Sequence, residues 1–103
     1  MAKNQAKGKN QPTNQYHSMS ELDTKQKSDI AIWLYEIYRD YYVQNQAIPS
    51  EPEQHDVLIK KLIQKVKQAK IHIPDKQIQI YYNSKLSPTL KRLKKEFPEL
   101  AES

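Results

Sequence analysis

Lys91, Arg92, Lys94 and Lys95 fall within five consecutive residues, interleaved with Leu90, Leu93 and Phe97. At 3.6 residues per turn this spacing puts the three apolar side chains on one face of a rod and the four cations on its outer arc. Such an arc suits one kind of chemistry, the neutralisation of a polyanion. Phosphates would pair with Lys85, Lys91, Lys94 and Lys95, and Arg92 is the residue nearby able to grip guanine O6 and N7 through two parallel donors. Asn83 and Gln79 would add adenine contacts if they faced the same groove. Lys3, Lys7 and Lys9 at the other end of the chain favour the same partner, because a flexible cationic arm follows phosphates or enters a minor groove without fixed structure. A lysine-rich face that is only solvated is written with the same letters. A further strip, Lys60, Lys61, Lys65, Lys67 and Lys70, spreads too far around its helix to meet one straight backbone together.

The chain has seven tyrosines against one phenylalanine. Tyr35, Tyr38, Tyr41, Tyr42, Tyr81 and Tyr82 form two groups, and a tyrosine joins an apolar ring to a wet hydroxyl, which suits half-buried positions and contact surfaces alike. Core packing with hydroxyls at the rim is one use. The other takes Tyr35 and Tyr42, seven residues apart and so on one stripe, as an outward surface that docks a protein partner or a second copy of the chain. Base stacking on these rings would favour single strands.

Other chemistries find little to work with. His17, His55 and His72 are far apart and belong to no metal-binding spacing, the single glycine allows no phosphate-cradling loop, and the absence of cysteine excludes disulfides and thiolate sites. Glu36 and Asp40 lie four apart, but Arg39 beside them predicts a surface ion pair. We therefore expect no enzyme, no cofactor, no metal and no small-molecule substrate. With 37% hydrophobic residues and no apolar run of spanning length, a membrane partner is not expected either. The first residues lack an apolar signal segment, which makes a cytoplasmic location the expectation. Fifteen lysines against two arginines, with abundant Ile, Asn and Gln, suggest a low-GC coding sequence, and a bacterial or mobile-element origin is the expectation from composition.

The elements that must carry these residues follow from periodicity. Formal charge totals +3 over residues 1–20, −2 over 21–50, +2 over 51–70 and +2 over 71–103. Residues 1–18 read as a disordered basic tail, 19–98 as one helical domain and 99–103 as a frayed end. A first helix is predicted from about Ser20 to Gln44, with Ser18/Glu21 or Asp23/Gln26 as its capping box and Pro49 as its stop. Apolar and aromatic side chains cover most of its circumference, so it should lie between other helices. A second helix starts at Ser50, Glu51, Pro52 and Glu53, a box with proline in the first turn, and hides Val57, Leu58, Ile59, Leu62, Ile63, Val66 and Ala69. Residues 71–82 alternate as a hairpin would, yet Asp75 could also cap a short helix. The helix is favoured, since the three-residue turn lacks glycine and a lone hairpin is marginal. Ser87 and Pro88 open a last helix with Leu90, Leu93 and Phe97 inward. The expected fold is thus all-α, a three- or four-helix bundle whose C-terminal pair has the outline of a helix-turn-helix.

Overall fold

The computed structural model describes residues 15–100, so the tail lysines Lys3, Lys7 and Lys9 and residues 101–103 lie outside the described part. The described chain is all-helical: α1 (Thr24–Asn45), α2 (Pro52–Gln68), α3 (Asp75–Ser84) and α4 (Leu86–Glu96), with short 3-10 turns at Met19–Glu21 and Pro98–Leu100. The expected small bundle is the fold observed.

Side-chain amides set the ends of the longer helices. The Asp23 carboxylate accepts from the Gln26 amide at 2.7 Å while Gln26 Oε1 accepts from the Asp23 amide at 3.0 Å, a reciprocal box that fixes α1 at Thr24. The rival box is absent: Ser18 Oγ turns to Ser20 Oγ at 2.8 Å, and Glu21 accepts from the His17 amide at 2.9 Å. α1 ends at Asn45, four residues ahead of the proline expected to stop it. Gln46 takes the left-handed conformation (φ 55°) and closes the helix with its amide on the Tyr42 carbonyl at 2.7 Å. α2 starts one residue later than the predicted box. Glu51 is its cap, Pro52 stands first in the helix where no amide is needed, and Gln54 Oε1 accepts from the Ser50 and Glu51 amides at 2.7 and 3.1 Å.

Residues 71–82 use both patterns that their letters allow. Ile71 and Ile73 are buried with His72 exposed between them, and the Tyr16 amide donates to the His72 carbonyl at 2.7 Å, beside an isolated parallel bridge from Gln15. Helix then begins at Asp75, which is the first helical residue and not the cap. Residues 15–18, expected in the tail, therefore belong to the fold. Tyr16 packs on the core and its hydroxyl accepts from Gln26 Nε2 at 3.1 Å.

α1 packs along α2 and against α4, and α3 packs on both α2 and α4. One cluster fills the centre, with Ile30, Leu34 and Tyr38 of α1, Leu58, Leu62 and Val66 of α2, Ile78 and Tyr82 of α3 and Leu93 of α4. Val57, predicted inward, is half exposed. On α4 Thr89 takes the buried place expected for Leu90, because the inner stripe tilts toward the flank that meets α1. α3 and α4 are joined by Lys85 alone. That joint is shorter than the three- or four-residue turn of a DNA-binding helix-turn-helix, so the predicted outline is corrected to two helices meeting at one residue. α4 correspondingly starts at Leu86, one residue before the predicted Ser87, with Pro88 still inside the first turn.

Candidate nucleic-acid interface

The predicted cations of α4 separate into two groups. Lys91, Lys94 and Lys95 are exposed, and none makes a hydrogen bond or ion pair with the described residues. Lys91 and Lys95 are one helical turn apart and Lys94 flanks them, so their ammonium groups form a continuous ridge. The acid of α4 does not reach it. Glu96 accepts from Tyr35 Oη at 2.5 Å and from Arg39 Nε at 2.6 Å, bonds that hold its carboxyl below the usual carboxylate range. Arg39 was expected to pair with Glu36 or Asp40 on its own helix. It reaches Glu96 across the α1–α4 seam because the guanidinium also lies over the Phe97 ring, 5.4 Å from its centre.

Arg92 and Lys85 belong to the other group. The Arg92 guanidinium lies 3.9 Å from the centre of the Tyr35 ring, and Lys85 Nζ lies 5.7 Å from that of Tyr81. Arg92 is therefore not an outward fork on the ridge but a flat group stacked at the seam. Both cations line a cleft of about 220 Å³ between α1, α3 and α4, with Tyr35, Tyr81 and Thr89 among its walls.

Tyr35 and Tyr42 do not form the outward stripe expected of them. They are 6% and 5% exposed, with the Tyr35 hydroxyl on Glu96 and the Tyr42 hydroxyl donating to Glu99 Oε2 at 3.1 Å. The Tyr42 ring also meets Phe97 at 5.0 Å between centres. Carboxylates arriving from the end of α4 satisfy the hydroxyls, and that is what permits the rings to be buried. Burial, the Glu96 bond and the Glu96 charge push the Tyr35 phenol up to about 12, against the opposing pull of Arg92 and Arg39. The 3-10 turn carrying Glu99 is thus held to the body, and Leu100 packs on the core, so the predicted fraying does not reach residues 99 and 100. The signal for buried rings was present in the letters: Tyr35, Tyr38 and Tyr42 recur at three and four residues, as a helix-packing seam does.

Sequence reasoning missed a second tyrosine contact. His55 Nδ1 lies 2.8 Å from Tyr82 Oη, with the rings edge to face at 5.7 Å. Burial raises the Tyr82 phenol strongly, with a smaller contribution from Tyr38. On α2 the basic strip is solvated, with Lys67 held at 3.5 Å from Asp75. Among the described residues no group of three His, Cys, Asp or Glu could hold a metal, and no helix is long and apolar enough to cross a membrane. Compared with family models, curated proteins and solved structures, the chain has no significant match in any of the three.

Proposed function

We propose that this chain is a small nucleic-acid-binding protein with a regulatory or accessory role on DNA, contacting phosphate through α4 and the basic N-terminal arm. One observation carries the reading: Lys91, Lys94 and Lys95 stand together with no partner among the described residues, while Glu96 and Glu99 are drawn away to tyrosines and an arginine of α1. Lysine is a compact, strongly hydrated point charge, so a ridge of lysines grips phosphate without reading bases. With Arg92 stacked on Tyr35, binding is expected to be independent of sequence. The test is fluorescence polarisation of the full chain against duplex DNA, single-stranded DNA and RNA at two salt concentrations. Three phosphate contacts predict a slope of log affinity against log salt of about −3 on duplex, and steeper if the arm takes part. Lys91→Glu with Lys95→Glu should abolish binding while the helical circular dichroism stays unchanged. Affinity that ignores salt would overturn the reading.

A protein-docking role has a separate observation in its favour, although not the tyrosines. Ile32 and Val43, about three turns apart on the outer face of α1, are 47% and 43% exposed. Sedimentation of Ile32→Asp beside the parent chain tests it, since loss of an existing oligomer would support a second copy as the partner.

A further inference from the structure

The cleft between α1, α3 and α4 has features that the phosphate ridge does not need. The exposed Arg92 guanidinium lies over the Tyr35 ring and makes no hydrogen bond to the described residues, so its donors remain available. Lys85, at the joint of α3 and α4, brings a second cation over Tyr81 to the same cleft. Thr89 lines it too. This residue is 8% exposed, and its hydroxyl has no hydrogen-bond partner among the described residues. A buried hydroxyl left unpaired is costly, which makes Thr89 an independent sign that the cleft is shaped for a polar guest. No carboxylate lines the cleft itself; Glu96, held by Tyr35 and Arg39, and Glu36 line a neighbouring recess that Arg92 and Tyr35 border as well.

The chemistry of the guest follows from these three groups. A planar fork, an ammonium and a hydroxyl are three separate sources of donors around one recess, and together they match a tetrahedral oxyanion better than a planar, singly charged carboxylate. Two cations suit a phosphomonoester, which carries about −1.5 to −2 charges at neutral pH. A volume of about 220 Å³ is below that of sites for drug-sized ligands, and it admits such a group with the sugar that carries it. We infer that this cleft is a phosphomonoester site, and, resting on the nucleic-acid reading above, that its guest is the phosphorylated end of a strand. An end can enter a recess that a continuous duplex backbone would pass over. Lys95 stands one turn from Arg92 along α4, so a strand whose end sits in the cleft runs directly onto the ridge.

The experiment compares two 3′-fluorescein oligothymidines, one with a 5′-phosphate and one with a 5′-hydroxyl, by polarisation at fixed ionic strength with the full chain. The phosphorylated strand should bind about tenfold more tightly, and added thymidine 5′-monophosphate should remove that advantage. Arg92→Gln should abolish the preference. Because Arg92 also covers Tyr35, Thr89→Val serves as the second variant, deleting one hydroxyl at nearly constant shape and narrowing the preference severalfold. Lys91→Ala, which removes one cation of the ridge, should weaken both strands and leave their ratio intact. Equal binding of the two strands, weakened by the ridge variant, would overturn the cleft and spare the nucleic-acid reading. If neither strand binds but thymidine monophosphate shifts the Thr89 and Tyr81 resonances in an Arg92-dependent way, the phosphomonoester site stands with a free nucleotide as its source and the nucleic-acid reading falls. Silence toward both strands and the monophosphate would overturn both.

Discussion

On the outward flank of α4, Lys91, Lys94 and Lys95 touch no partner among the described residues, whereas on the flank toward α1 Arg92 lies flat on Tyr35 and Glu96 is gripped from two sides. The difference follows from the chemistry of the cations. Guanidinium is planar and weakly hydrated, and both arginines of this chain rest on aromatic rings, Arg39 over Phe97 and Arg92 over Tyr35. Ammonium keeps its water and therefore its availability. A single short helix thus uses arginine where it must adhere to the body and lysine where it must remain free.

The strongest way to break the comparison is to remove what both flanks stand on. Leu93 is fully buried beneath them, and Leu93→Ala should cost about 2–5 kcal/mol, read as a fall in the urea midpoint, with ridge and seam lost together. Tyr35→Phe is narrower. It deletes the hydroxyl on Glu96 while keeping the ring under Arg92, so the urea midpoint should fall by less than for Leu93→Ala.

Titration probes the seam at both ends of the pH scale. The Tyr35 phenol rises to about 12 in the folded chain, so its contribution is complete below the unfolded value near 10 and is lost as pH climbs from about 10 toward 12. Glu96 moves the other way. Its stabilisation is complete above the ordinary carboxylate range and disappears as pH falls through its lowered folded value. Thermal melts across pH should show both limbs, and Glu96→Gln should flatten the acid one. The smallest effect belongs to the ridge. Like charges one turn apart repel, so Lys91→Ala should stabilise the fold by about 0.2–0.5 kcal/mol in urea titrations, the opposite sign to every seam variant.

Most of the architecture was legible because it is written in local periodicity. Proline in the first turn of α2, the Asp23 and Gln26 pair and the apolar stripes of α2 and α4 each act within a few residues. The ends of α1 and α2 were less so. Gln46 and Lys70 adopt positive φ without being glycine, conformations that no residue type announces. The seam was the least legible part. Tyr35, Arg39 and Tyr42 meet Glu96 and Glu99 across 57 to 61 residues, and no spacing rule connects positions so distant. Seen from the letters, Arg39 had nearer acids and Tyr35 had a solvent-facing alternative. The ridge itself needed only helical geometry, whereas the cleft required knowing that α1 and α3 would bring Tyr35 and Tyr81 to it.

The joint at Lys85 has a consequence for how this chain tolerates changes in length. Its amide is received by the Tyr81 and Tyr82 carbonyls, and its own carbonyl receives the Thr89 amide, so the corner is stitched on both sides and holds no slack. An inserted residue there would turn everything downstream by about 100°, swinging the lysines toward the core and Leu93 toward water. The stretch from Gln46 to Glu51 spans several non-helical residues and absorbs the same insertion within the loop. Duplications and deletions should therefore survive at the first corner of this fold and be eliminated at the last.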